Sequence, residues 1–293
     1  MASLKEVKNR INSVKNTRKI TSAMKMVASA KLHKAQGNIE SMLPYQRNLN
    51  RILTNFLSSD LAIVSPYTIL RDVRRIAVVI FSSNTSLCGA FNANVIRLLN
   101  QTIDEYRNTL GNNNILLFPI GRKVEEAVKK MGFETQLTLQ SLSDKPSYKE
   151  ATILANRLMA MYISGEIDRV ELIYHHFKSM ATQTLLRETY LPIDLEKTLV
   201  KGQVEESAVL ADYIVEPSAQ QLISDLIPLV LKQKIFTVSM DSNASEHAAR
   251  TLAMQVATDN ANELIQDLTK QYNKGRQQAI TNELLDIVGG SMR

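Results

Sequence analysis

The chain has 293 residues, 44% of them hydrophobic and 22% charged, which supplies one or two packed domains and excludes a disordered tail. A formal charge of +6 points to an anionic partner, whether nucleic acid, a phospholipid surface or an acidic protein face. One cysteine, Cys88, excludes an internal disulfide framework and fits a reducing compartment. The charged start MASLKEVKNR and the lack of any apolar run of about 18 residues predict a soluble or peripheral protein without signal peptide or membrane span.

Residues 1–36 contain neither Gly nor Pro and are rich in helix-favouring side chains, so a helix can run through them unbroken. Leu4, Val7, Ile11 and Val14 have the alternating spacing of three and four of a coiled-coil seam. Strict continuation would put Arg18, Thr21 and Lys25 in the seam, whereas apolar residues occur one position earlier, at Ile20, Met24 and Val27. The expectation is a local slip of the stripe. A helix from residue 1 to near 57 would exceed roughly 80 Å at about 1.5 Å per residue, longer than a compact domain needs.

In the middle of the chain the periodicity changes. Residues 75–83 (RIAVVIFSS), 115–121 (ILLFPIG) and 170–177 (VELIYHHF) are short β-rich apolar runs separated by helical patterns such as NANVIRLLNQTIDEY and RKVEEAVKKMG. Strands alternating with helices imply a mostly parallel, Rossmann-like sheet, with residues 182–193 (TQTLLRETYLPI) pairing antiparallel at an edge.

The C-terminal segment has no Gly or Pro between Pro228 and Gly275. Ala257, Ala261, Gly275 and Ala279 stand at seam-compatible spacing around Leu264 and Leu268. Two long helices at opposite ends of one chain invite antiparallel pairing. The predicted fold class is therefore α/β plus a long coiled coil, with the N- and C-terminal helices forming an antiparallel coiled coil and an α/β domain inserted between them. The predicted boundaries are 1–57, 75–195 and 209–290. On those lengths the last 20 or so residues overhang the first helix, leaving Ile280, Leu284, Leu285, Ile287 and Val288 as an apolar tip for another protein to cover.

Fingerprints of chemistry are missing. There is no G-x-G-x-x-G after the first strand and no G-x-x-x-x-G-K-[ST] anywhere. The turn NTSLCGAFN holds Cys88, but an activated thiol needs a base, and His33, His175, His176 and His247 lie in distant segments, so Cys88 is read as packing. His175 and His176 are adjacent on a strand, point to opposite faces and cannot share a metal ion. Ser22 and Lys25 match S-x-x-K without its companion motifs, a chance match. No catalytic residue, metal or cofactor is expected. Charge is unevenly spread: nine Lys or Arg (5, 8, 10, 15, 18, 19, 25, 31 and 34) stand against Glu6 and Glu40 in residues 1–40. Such a one-sided helix suits an acidic sleeve or, as the alternative, DNA bound by a basic coiled coil.

Residues 3–36 (SLKEVKNRINSVKNTRKITSAMKMVASAKLHKAQ), residues 245–290 (SEHAARTLAMQVATDNANELIQDLTKQYNKGRQQAITNELLDIVGG) and the LCGAFN turn resemble the gamma subunit family of F-type ATP synthases. The resemblance implies a central-stalk rotor that transmits torque and is not itself catalytic. It implies as partners a hexamer of alternating alpha and beta subunits, the epsilon subunit and a membrane c-ring, with no nucleic acid. It implies a peripheral place on the cytoplasmic face of a bacterial plasma membrane. Matched position by position, Met24 and Lys25 face the acidic lever loop of beta. Arg276, Gln277 and Thr281 face its catch region, and Tyr213, Glu216 and Pro217 lie in the foot, against epsilon and the c-ring. The chain departs from the family pattern at Gly275, commonly Ala, and at Asn84, Thr85 and Ser86 before the LCG turn.

Overall fold

The computed structural model describes residues 3–57, 65–137, 139–193 and 218–291. Two long helices, α1 (Leu4–Leu57) and α6 (Ala219–Ser291), bracket an α/β segment. Between them lie β1 (Ile76–Phe81), α2 (Phe91–Leu110), β2 (Ile115–Ile120), α3 (Arg122–Lys130), α4 (Gln140–Asp144), α5 (Tyr148–Ile163), β3 (Arg169–Phe177) and β4 (Gln183–Leu191). The chain divides into two compact units, residues 31–249 and a helical pair made of residues 1–30 with 250–293.

In the unit of residues 31–249 the sheet order is β2-β1-β3-β4, with β1 parallel to both neighbours and β4 antiparallel to β3 at the edge. All six residues of β1 are buried, so the central strand is a continuous apolar run and its alternation appears only in which core each side chain enters. Ala77, Val79 and Phe81 pack with α5 and with residues 223–238 of α6. Ile76, Val78 and Ile80 pack with α2 and α3 on the other face. The edge strand is fastened by charge: Arg187 reaches buried Glu171 at 2.7 Å and also Glu105, and the Tyr106 hydroxyl donates to Glu171 at 2.7 Å. Beyond β3, Leu32 and Ala35 of α1 pack with Ala244 and Ala248 of α6, and Phe177 leans on them.

In the helical pair the two chain ends run antiparallel. Thr21 faces Thr258 through hydroxyls 2.8 Å apart, Arg18 donates to Asn262 Oδ1 at 3.3 Å, and Gly275 lies against Leu4. The residue numbers of these facing positions all add to 279 or 280.

The seam differs from the expected one. Ile11, Thr21 and Ala28 are buried and Leu4, Val7, Val14, Arg18 and Lys25 half-buried, so the heptad continues strictly and no slip occurs. Ile20 and Val27 are instead 60% and 59% exposed. The opposite stripe runs through Thr251, Met254, Thr258, Ala261, Ile265, Leu268, Tyr272, Gly275 and Ala279, and Leu264 faces outward. The physical reason lies in the stretch around Thr21 and Ala28, where the partner helix offers close approach and hydrogen-bonding groups, while Leu4, Val7, Ile11 and Val14 keep an aliphatic seam nearer the start of α1. Ala28 lets the helices approach, Thr21 and Arg18 find partners across the seam, and Ile20 and Val27 are left on the outside.

Candidate partner-binding surface

In a doubly wound sheet a ligand would enter at the carboxyl ends of β1 and β3, where the chain order switches direction. Here that crevice is filled by the protein itself. His175 is buried and stacks on Phe91 with ring centroids 4.3 Å apart, and the Ser245 hydroxyl of α6 donates to its carbonyl. Burial holds the His175 imidazole down to a pKa of about 4, so it is neutral at physiological pH.

The turn after β1 is equally committed. Asn92 donates to the Cys88 sulfur at 3.2 Å and to the Ser83 hydroxyl at 2.7 Å, and Cys88 is 1% exposed. The opening amides of α3 are also occupied: Arg122 N–H donates to Asn84, Lys123 N–H to the Ser83 carbonyl and Val124 N–H to the Ser82 hydroxyl. A Cβ on Gly121 would lie 2.2 Å from the Ser82 carbonyl oxygen, so this turn closes directly onto the end of β1. A phosphate would find these donors already paired. His175 and His176 do point to opposite faces, and His176 instead pairs with Asp241 of α6 at 2.8 Å. Among the described residues no group of three or more His, Cys, Asp or Glu is placed to hold a metal ion.

What the structure offers a partner is surface. On the helical pair, Lys5, Lys8, Arg10, Lys15 and Lys19 are exposed. Beyond these cations, Ile20, Met26 and Val27 of α1, with Leu252, Val256 and Leu264 of α6, are exposed outside the seam as an apolar collar. Toward the end of α6, residues 281–288 are all exposed, the large aliphatic Ile280, Leu284, Leu285, Ile287 and Val288 among the exposed side chains. This overhang begins at about residue 280, later than chain lengths alone suggested, because the helices meet with facing numbers adding to 279.

The structure places the sequence-derived contact residues as follows. Met24 and Lys25 are half-buried beside the collar, and Arg276, Gln277 and Thr281 are exposed, with the Thr281 hydroxyl donating to the Gln277 carbonyl at 2.9 Å. Lys25 faces the level of Met254, so Arg276 lies 22 residues further along α6, about 33 Å at 1.5 Å per residue. The two groups are separate stations on one helical pair. Tyr213, Glu216 and Pro217 lie outside the described residues. The collar was not legible as such, since a stripe of apolar residues reads as a seam until the partner helix is in place. No helix among the described residues is long and apolar enough to cross a membrane.

A family model described as ATP synthase matches residues 3–292. The ATP synthase gamma chain of Bacteroides thetaiotaomicron is 73% identical, and that of Bacteroides fragilis strain ATCC 25285 is 71% identical, each alignment covering all of both chains. Among solved structures, a chain of the Euglena gracilis mitochondrial ATP synthase OSCP/F1/c-ring assembly superposes with a TM-score of 0.68 at 21% identity, covering 99% of this chain and 93% of that one. A chain of the rotor of the same synthase gives a TM-score of 0.65 at 19% identity, over 94% and 98% of the two chains. With a family match spanning nearly every residue and full-length relatives this similar, the chain belongs to the ATP synthase gamma chain family.

Proposed function

We propose that the chain works as the central-stalk rotor of an F-type ATP synthase, carrying torque between a membrane c-ring and a catalytic hexamer of alpha and beta subunits, with epsilon bound at its foot. It makes and breaks no covalent bond; catalysis belongs to the beta subunits. The observation that carries this reading is that the helical pair, besides closing an apolar and polar seam, leaves a further set of large aliphatic side chains and most of its cations exposed on the outside. A helix pair hiding its apolar side chains would be complete alone, whereas this one leaves Ile20, Met26, Val27, Leu252, Val256 and Leu264 for a surrounding protein.

Coupling is then a difference in contact free energy: each orientation of an asymmetric rod favours a different state of each beta subunit. Met24 and Lys25 meet the acidic lever loop of beta, and Arg276, Gln277 and Thr281 meet its catch region about 33 Å away by helix rise. Tyr213, Glu216 and Pro217 serve the foot. Exposed lysine–carboxylate contacts contribute only about 0.2 to 1 kcal/mol each, shallow enough for a rotor to pass from one to the next. The protein works peripherally, on the cytoplasmic face of a bacterial plasma membrane. The rival, a basic coiled coil for nucleic acid, finds no support, because the exposed cations of α1 are followed by the exposed apolar side chains of Ile20, Met26 and Val27, which a phosphate backbone cannot use.

The test is to reconstitute the complex with Ile20→Asp/Val27→Asp and measure protons pumped per ATP hydrolysed. Both side chains are exposed, so the unfolding midpoint should stay near that of the parent while coupling falls several-fold. Unchanged coupling would overturn the reading.

A further inference from the structure

The stretch of chain that leads into β1 is fastened along its length. The Ile193 amide donates to the Tyr67 carbonyl at 2.8 Å and the Tyr162 hydroxyl to the Ile69 carbonyl at 2.6 Å. The amides of Arg74 and Arg75 donate to Asp168 Oδ2 at 2.9 and 3.0 Å, and the Asp168 amide returns a bond to the Arg75 carbonyl at 2.9 Å. These bonds hold Arg71, Arg74 and Arg75 on the wall of one recess, completed by Asp72, Asn114, Gly165 and Asp168. Arg75, Asn114 and Asp168 immediately precede β1, β2 and β3, so the recess lies at the amino ends of the parallel strands, away from the plugged crevice.

The three guanidinium groups are not spent within the chain. Half-buried Arg71 donates one N–H to the Tyr162 carbonyl at 3.0 Å and lies 5.1 Å from the Tyr162 ring centroid. Arg75 Nε donates to the neutral Asn114 side chain at 3.4 Å, and Arg74 is exposed. None of the three forms an ion pair among the described residues. Next to them in the chain, Leu70 is 82% exposed, and Ile69 and Ile163 are exposed as well. We propose that this recess receives an acidic segment of another subunit, its carboxylates paired with Arg71, Arg74 and Arg75 and one of its apolar side chains resting on Leu70. The planar fork of arginine matches a carboxylate with two parallel N–H donors, and the fixed backbone beneath it lowers the ordering cost of the contact. Free phosphate would leave Leu70 unused. A lipid surface is uniformly anionic and would be repelled by Asp72 and Asp168 in the same recess. The proposal lies outside the helical pair and rests on the rotor reading for the assembly that supplies the partner.

The experiment treats the full chain, free and copurified in its complex, with phenylglyoxal, which modifies accessible guanidinium groups, and follows each arginine by mass spectrometry. Arg71, Arg74 and Arg75 should react about tenfold more slowly in the complex, as pairing within an interface requires. In a second arm, Arg74→Lys and Arg75→Lys, which keep the charge, are assembled and treated with a water-soluble carbodiimide, which joins an amine to a carboxylate in contact with it. The amine introduced at position 74 or 75 should be joined to an aspartate or glutamate of another subunit. Equal reactivity in the free and assembled chain, or links only to Asp72 and Asp168 of this chain, would overturn the proposal and leave the rotor reading intact. A chain that does not copurify with a hexamer would overturn both. Protection of the same arginines in the free chain by phosphatidylglycerol vesicles would assign the recess to lipid and likewise overturn it.

Discussion

Thr21 of α1 and Thr258 of α6 pair hydroxyl to hydroxyl at 2.8 Å in the middle of the helical seam, where a coiled coil ordinarily places leucine or isoleucine. Each also lies within reach of a backbone carbonyl of its own helix, Arg18 at 3.1 Å for Thr21 and Met254 at 2.7 Å for Thr258. One hydroxyl can satisfy its own helix and the other must donate across the seam. Removing one partner leaves the other short of a bond, whereas removing both replaces a polar pair by a methyl pair of the same shape. Thr21→Val and Thr258→Val should each cost about 1 kcal/mol, and the double variant clearly less than the sum. A double-mutant cycle by urea denaturation measures this; strict additivity would mean that the hydroxyls do not interact.

Gly275 occupies a seam position where a Cβ would meet Leu4 Cδ2 at 3.1 Å. That atom is the free end of a flexible side chain near the start of α1 and can move a few tenths of an ångström. Glycine inside a helix costs up to about 1 kcal/mol relative to alanine. Gly275→Ala should therefore stabilise the helical pair by a few tenths to about 1 kcal/mol, read as a raised unfolding midpoint. A lowered midpoint would show that Leu4 is held more rigidly than its half-exposed position implies.

The buried imidazole of His175 sets a dependence on acid. Its folded-state pKa is about 4, against 6.5 for the ordinary side chain. Below 6.5 the unfolded chain takes a proton that the folded chain refuses, so stability is present above that pH and falls as pH drops toward 4. The full loss is roughly 3 kcal/mol at 1.36 kcal/mol per pKa unit. His175→Phe, which keeps the stack on Phe91, should remove most of this slope from the unfolding free energy measured between pH 7 and 4. A slope unchanged by the substitution would assign acid sensitivity elsewhere.

Removing residues from Ile280 onward deletes a segment whose large aliphatic side chains Ile280, Leu284, Leu285 and Ile287 are exposed. Each large aliphatic side chain left in water forgoes roughly 1.5 to 3 kcal/mol of burial, a gain that only a partner can supply. The shortened chain should keep the unfolding transition of the α/β unit and lose torque or assembly with the hexamer. Loss of that transition would mean that the segment supports the fold from within.

The heptad spacing of Leu4, Val7, Ile11 and Val14 and the apolar runs that became β1, β2 and β3 are local patterns, and a chain read alone reveals them because backbone geometry imposes periods of 3.6 and 2 on any side chain that must be buried. The missing phosphate loops and the basic first helix are equally properties of the string of residues. Which residues enter the seam, by contrast, depends on the helix across from them: Thr21 is inside because Thr258 meets its hydroxyl, and Ile20 is outside because nothing among the described residues receives it. In the same way His175 plugs the crevice only because Phe91 and Ser245 arrive there, and His176 finds Asp241 across 65 residues of chain. Local spacing determined the elements and their polarity; the facing of one element on another, which rewards size and hydrogen-bond complementarity between residues far apart in sequence, was decided by the tertiary structure.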